Sequence, residues 1–236
     1  MFEVRNLAFS YRSKPVLRDV SFVISPGETV SIVGDNGAGK TTLLRLLATL
    51  AVPDAGVVKI DGQDAFERPL KYRHQLGYLP EEPALYEDMP VRSYLTYRAQ
   101  LKGEPDKRIR RRVGEAAEMC IIGEVLERPI RVLSAGLRKR VALADALLLR
   151  PRLLLLDDFL AGLDNGMRAV AGSILSSVAA FSSVIVTGHE IADMAKWTTR
   201  FLVLKDGVVS SVLEGAGADR ETLPARVEAA LREVVP

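Results

Sequence analysis

Cysteine is almost absent from this chain. One residue, Cys120, occurs among 236, which excludes an internal disulfide and leaves a reducing, cytosolic setting as the default expectation. Histidine is nearly as scarce, with two, and no Cys/His cluster has the spacing of a zinc site. Excess charge of either sign is lacking too. The 32 Lys plus Arg stand against 30 Asp plus Glu, a net charge of +2, too small to direct the protein to nucleic acid or to an acidic membrane surface. No uncharged apolar run reaches the roughly eighteen residues of a membrane span. Met1 to Asn6 shows no basic segment followed by an apolar one, so no leader is expected. Work at a membrane would then need spans supplied by another chain. Internal repeats and low-complexity tracts are also missing. What the chain does have is 48% hydrophobic side chains, enough at this length for a substantial core in one domain, or one domain with a smaller lobe.

The most informative stretch is Gly34, Asp35, Asn36, Gly37, Ala38, Gly39, Lys40, Thr41, which fits the phosphate-cradling pattern G-x-x-x-x-G-K-[ST]. By chance the bare pattern turns up in roughly one chain in a hundred of this length, and its flanks make accident rarer. Before it, Glu28 to Val33 is a short apolar, β-branched run that reads as a buried strand; after it, Thr41 to Leu50 reads as a helix. Glycines let successive backbone N–H groups turn toward one anion, the helix start adds partial positive charge, and Lys40 can reach the outer phosphates. Thr41 can offer its hydroxyl to Mg²⁺, and Thr42 follows in the same first turn. The pattern points to a nucleoside triphosphate, against the plainer reading of a Gly-rich turn.

Strand-like stretches at Phe2 to Ser10, Val16 to Ile24, Glu28 to Val33 and Val57 to Ile60 make the opening β-rich, with Asp61 and Gly62 marking a tight turn. From Val91 to Arg128 the strand signal gives way to helical spacing, over Val91 to Lys102 and Lys107 to Met119. Four arginines in five residues from Arg108 to Arg112 would spread around the exposed face of such a helix, with Glu115 and Glu118 to pair with them, so no nucleic-acid partner is expected. Strands return at Leu153 to Leu156, Ser183 to Val186 and Phe201 to Leu204, separated by helical patterns at Ser134 to Leu149 and Met167 to Ala180. That alternation indicates a parallel sheet with helices packed on it. Asp206 and Gly207 form a hairpin signal, and an amphipathic helix is expected from Pro224 to Val235.

Leu153 to Leu156 ends in Asp157 and Asp158, as expected of a buried strand that delivers acids to the phosphate-loop edge of a sheet. Asp157 would hold Mg²⁺ through water, and Asp158 could accept a proton from an attacking water. Taken alone, an acidic strand end is often a turn or a helix cap. Ser134, in Leu133 to Arg140, is a natural N-cap for the helix that follows.

The order of these motifs resembles the ATP-binding cassette family, specifically the ATPase subunits of ABC transporters, from about Phe2 to Leu213. The resemblance implies an α/β fold: a P-loop NTPase core with a mainly parallel sheet, an N-terminal antiparallel β-subdomain and an inserted α-helical subdomain. It implies a single domain over 1–236, with core 1–85 and 150–215, helical part 86–149 and a C-terminal helix in 216–236. The family's Leu-Ser-Gly-Gly-Gln stretch corresponds to Leu133 to Leu137, where Ser134 and Gly136 match while Ala135 and Leu137 depart. By resemblance, Ser134 and Gly136 serve the γ-phosphate bound on an opposing subunit. Tyr11 lies where members stack an aromatic ring on adenine, and Ala161 to Asp164 resembles the loop linking two nucleotide sites. His189 matches the histidine that reaches the γ-phosphate. Glu81 stands where many members have glutamine, placing a full negative charge beside the metal and the nucleotide.

Aspartate at position 158 is the most consequential departure, because the family normally has glutamate there. A carboxylate drawn back by about 1 Å can cost on the order of a hundredfold in a positioned reaction, so slow turnover is expected. Phe159, where members usually have proline, can shift that loop. The implied function is ATP binding and hydrolysis with Mg²⁺, by two ATPase subunits closing head to tail, as a homodimer or with another such subunit. Separate membrane permease subunits would receive the stroke through the surface near Tyr78 to Tyr86 and the helical lobe, placing the chain on the cytoplasmic face. Glu81 and the compact helical lobe lean the resemblance toward export. An ATP-gated regulatory or soluble module with little hydrolysis is the alternative; a small-molecule kinase would lack the Leu133 stretch.

Overall fold

The computed structural model describes residues 1–215 and 220–233. In chain order its elements are β1 (Phe2–Tyr11), β2 (Lys14–Ile24), β3 (Thr29–Val33), α1 (Lys40–Leu47), β4 (Ala55–Ile60), β5 (Gln63–Asp64), α2 (Pro69–Arg73) and β6 (Leu76–Leu79). They continue with α3 (Val91–Leu101), α4 (Asp106–Met119), α5 (Ala135–Leu147), β7 (Leu153–Leu156), α6 (Asn165–Val178) and β8 (Ser183–Thr187). Then come α7 (Ile191–Met194), β9 (Arg200–Lys205), β10 (Val208–Glu214) and α8 (Leu223–Arg232). The expected terminal helix is α8; the parts of that expectation at 216–219 and 234–236 lie outside the described residues.

One sheet runs in the order β5-β4-β1-β2-β10-β9-β3-β8-β7-β6. Strands β9, β3, β8, β7 and β6 pair in parallel, whereas β5, β4, β1 and β2 are antiparallel. This is the α/β architecture expected, with antiparallel strands at the amino-terminal side. The two halves meet where β10 touches β2, at Val208 beside Asp19. Asp206 and Gly207 both have positive φ, 47° and 78°, the geometry of a tight hairpin turn whose twist matches the flanking strands.

The parallel strands are largely apolar because both faces are covered, with polar residues mainly at their ends. Their side chains alternate: Leu154, Leu156, Val184, Val186, Phe201 and Val203 face the core shared with α3 to α6 and α8. Leu153, Leu155, Ile185, Leu202 and Leu204 face the opposite core, which holds α1 and the antiparallel strands. Helix α1 is enclosed, with Leu43, Leu44, Leu46 and Leu47 all 0% exposed. Burying four such side chains contributes on the order of 6–12 kcal/mol, opposed by conformational entropy, and it fixes the helix that begins at Lys40.

Helices α3, α4 and α5 pack on one another, and Cys120 at the end of α4 is fully buried, which pushes its thiol pKa up. Arg111 and Arg112 of the arginine run pair with Glu115, and Arg112 also with Glu104; Arg111 is solvated as expected, whereas Arg112 and Glu104 keep only 14% and 9% of their side chains exposed. Among the described residues no helix is long and apolar enough to cross a membrane.

A buried charge fastens α5 to α3. Asp145 accepts from Arg98 Nε at 3.1 Å and lies 2.8 Å from Lys102 Nζ. Removing the carboxylate would strand two cations, a change that costs about 3–5 kcal/mol when fully buried. Arg98 and Lys102 keep 32% and 26% of their side chains exposed and can turn to water. Asp145→Ala is therefore expected to lower stability by about 1–3 kcal/mol, read as an earlier urea midpoint with an unchanged slope.

Candidate nucleotide and metal site

Four adjacent parallel strands, β3, β8, β7 and β6, end on one edge of the sheet, and each hands a functional segment to the same place. Beyond β3 runs the glycine loop into Lys40; beyond β7 come Asp157 and Asp158; β8 leads to His189 and β6 to Glu81. This is the crevice at the carboxyl ends of strands where open α/β sheets bind ligands. A cavity of about 340 Å³ there is lined by Asn36, Gly37, Gly39, Lys40, Thr41, Thr42, Glu81, Asp157, Asp158, Thr187 and His189. Residues as distant in sequence as Lys40 and His189 thus meet, with Nζ and Nε2 3.4 Å apart.

The loop geometry explains two of the glycines. A Cβ on Gly34 would lie 2.2 Å from the Leu204 carbonyl oxygen of β9, a distance no side chain allows. Gly39 caps α1 at φ 104° and would drive a Cβ to 2.8 Å from Leu17 Cδ2; only glycine takes this turn without strain. The Lys40 ammonium donates to the carbonyls of Gly34 at 2.7 Å and Asp35 at 3.1 Å. Burial lowers its pKa, opposed by Asp158, Asp35, Asp157 and Glu81.

Asp157 is 2% exposed. Its Oδ1 accepts from Thr41 Oγ1 at 3.2 Å and Thr187 Oγ1 at 2.8 Å, while its Oδ2 and Asp158 Oδ1 are buried without a partner. An orphaned carboxylate oxygen beside a threonine hydroxyl, with Glu81 lining the same cavity, is a hard oxygen set that suits Mg²⁺. Among the described residues no three His, Cys, Asp or Glu form a group that could hold a metal ion by themselves.

The other expected residues fall as follows. Tyr11 is 44% exposed, sits edge-on to Phe9 at 4.8 Å, and lines an adjoining cavity with Asp35, Asn36, Gly37 and Ala38. Ser134 caps α5, accepting from the Leu137 amide at 3.3 Å, and Gly136 packs near Met167; neither lines the cavity. Asp164 caps α6. In the stretch assigned to the permease contact, Tyr78 is half-buried, its hydroxyl pKa pushed up to about 12 by burial and by Asp157, and Tyr86 at the other end is exposed. Two residues near the acids went unforeseen. Thr187 bridges them, and Lys139 of α5 donates to the Phe159 carbonyl at 3.2 Å and to that of Ala161. Thr187 carried a faint signal, a hydroxyl at the end of an apolar strand just before Gly188 and His189; Lys139 carried none.

Burial raises the pKa of Asp157, partly offset by the Thr187 and Thr41 hydrogen bonds. Burial also raises that of Asp158, reinforced by Glu190 and opposed by His189, Lys139 and Lys40. For acids shifted upward, the favourable contribution to folding is complete below the unfolded value of 3.8 and is lost as pH rises through the folded values. At neutral pH the ionised pair therefore destabilises the free protein. Asp158→Asn, which keeps a side chain tolerant of positive φ, is expected to raise the apo melting midpoint at about pH 7 by up to about 2 °C, solvent screening of this half-exposed group keeping the gain small. The gain shrinks as pH falls toward the unfolded value of 3.8; calorimetry across that range checks both.

A model of the ABC transporter family matches residues 17–161. The uncharacterized ABC transporter ATP-binding protein YxlF of Bacillus subtilis is 31% identical over 210 residues, covering 89% of this chain and 70% of YxlF. The sulfate/thiosulfate import ATP-binding protein CysA of Rhodopseudomonas palustris is 33% identical over 219 residues, 89% of this chain but 62% of CysA. The chain thus spans less than two thirds of that second relative. A solved ATP-binding subunit of an ABC transporter superposes with a TM-score of 0.83 at 27% identity, covering 97% of this chain and 99% of that one. A dimeric bacterial ABC transporter cassette does so with a TM-score of 0.82 at 25% identity, covering 92% and 100%. The extent of these matches, together with the phosphate loop and acid-tipped strand at one sheet edge, shows that the chain belongs to the ABC transporter family as an ATP-binding subunit.

Proposed function

We propose that this chain binds and hydrolyses ATP to power transport through separate membrane permease subunits, by closing on a second ATPase subunit around the nucleotide. The observation that carries the reading is the single cavity in which Lys40, Thr41, Glu81, Asp157, Asp158 and His189 converge. Phosphoryl transfer needs positioning and charge stabilisation more than covalent chemistry, and these residues supply both. Gly34 to Thr42 cradle the phosphates, Lys40 meets their charge, and Tyr11 borders the place for the base. Thr41, Asp157 and Glu81 would hold Mg²⁺, which offsets phosphate charge when bound. Asp158 orients the attacking water and takes its proton, its raised pKa bringing it nearer the working range of a general base. His189 contacts the γ-phosphate.

Ser134 and Gly136 lie outside their own cavity and are free to complete the opposing subunit's site, which supports a dimer, of two identical copies or with another ATPase subunit. The division into core (1–85, 150–215), helical part (86–149) and terminal segment (216–236) belongs to the same proposal, as does placement on the cytoplasmic side of the membrane. Export is the direction we infer from Glu81 and the compact helical part. The names of CysA and of the spermidine/putrescine protein PotA from Haemophilus influenzae, 31% identical, record import. Asp158 favours one second reading, a subunit gated by ATP that hardly cleaves it.

Lys40→Ala is expected to weaken ATP binding about ten- to a hundredfold by removing charge-assisted hydrogen bonds, measured by isothermal titration. Asp158→Glu should raise turnover by on the order of ten- to a hundredfold if the shortened acid limits the reaction. Unchanged turnover with undiminished ATP affinity would favour the gating reading. Pull-down of the tagged chain from membranes, with partners identified by mass spectrometry, tests the transport role; recovery without any permease contradicts it.

A further inference from the structure

Strand β8 lies between β3 and β7, so the residue at its end separates the phosphate loop from the acids. That residue, Thr187, is 1% exposed, and its hydroxyl is committed on both sides. Its Oγ1 donates to Asp157 Oδ1 at 2.8 Å and accepts from the Asp158 backbone N–H at 2.9 Å. A hydroxyl carries one proton, so the direction of this short relay is fixed from the Asp158 amide to the Asp157 carboxylate. Register produces it: Val186 pairs with Leu156, and the next residue on each strand emerges side by side.

Two features show what the relay does. Asp158 has φ 45°, a left-handed conformation uncommon for residues other than glycine, and the bond from its amide to Thr187 anchors it there. Thr187 also occupies Asp157 Oδ1, while the buried Asp157 Oδ2 and Asp158 Oδ1 have no partner. Asp157 thus has one oxygen tied and one buried oxygen free, whereas Asp158 is held by its main chain and keeps a buried, unpartnered Oδ1.

We propose that Thr187 is a positioning residue for ATP hydrolysis, locking the Asp157 carboxylate and the Asp158 main chain into one unit through a single hydroxyl. It acts through those two residues rather than on the nucleotide. The inference rests on the reading of this cavity as an ATP-hydrolysing site.

Thr187→Val keeps the shape and removes the hydroxyl, whereas Thr187→Ser keeps the hydroxyl. In the nucleotide-free, metal-free protein, amide hydrogen exchange at Asp158 is expected to be slow in the parent and in Thr187→Ser, and faster by about tenfold or more in Thr187→Val. With Mg²⁺ and ATP, kcat should fall about ten- to a hundredfold in Thr187→Val, with ATP affinity measured without metal unchanged. Thr187→Ser should return kcat to within about threefold of the parent. A residue that only packs the strand end predicts equal damage from both variants, seen as lower stability; that result overturns the proposal. So does a Thr187→Val protein with the parent's kcat and a protected Asp158 amide. If the parent binds no ATP, the functional reading falls, while the exchange measurement, which needs no ligand, still decides whether Thr187 holds Asp158.

Discussion

Three carboxylates, those of Glu81, Asp157 and Asp158, share a cavity with one ammonium, that of Lys40. Everything about the site follows from this imbalance. Burial raises the pKa values of Asp157 and Asp158 and lowers that of Lys40, so each ion is held against its preference for water. The chain meets part of the demand with hydroxyls, from Thr41 and Thr187, and leaves the remainder as orphaned oxygens. A divalent cation carried in with a triphosphate would complement this charge under the function proposed above.

Such charge is tolerated because the scaffold behind it is rigid. Leu154 and Leu156 anchor β7 in one core, while Leu153 and Leu155 pack in the other together with the enclosed leucines of α1, so the strand end and the helix start are fixed against a common core. Gly34 and Gly39 let the loop pass against β9 and Leu17 without a side chain in the way. The strand-to-helix turn at Lys40 and the strand end at Asp157 are therefore placed by packing, and the polar contacts between them are short because the backbone delivers them there.

Much of this was legible in the sequence, since a strand buried on both faces writes a continuous apolar run. Leu153 to Leu156 was read with its observed boundaries, and the phosphate loop lies between the elements expected. Strand β6 and helix α2 were missed, β6 because Gly77 breaks a run of only four residues, and α2 because five residues are too few to show a helical period. Thr187 escaped notice for a different reason: its role arises from the register of β7 and β8, which local spacing does not encode. Ser134 was legible as the cap of α5, but its role with Gly136 toward a second subunit comes from resemblance alone, and the fold leaves both away from their own chain's cavity.

Cys120 has a practical consequence. As the chain's one thiol, fully buried and held protonated by its apolar surroundings, it is a poor target for maleimides and other alkylating reagents in the folded state. The wild-type background thus serves as a ready-made cysteine-light template: a single cysteine introduced on an exposed position can take a fluorophore or spin label selectively, and reaction of Cys120 itself reports unfolding of the helical layer around α4.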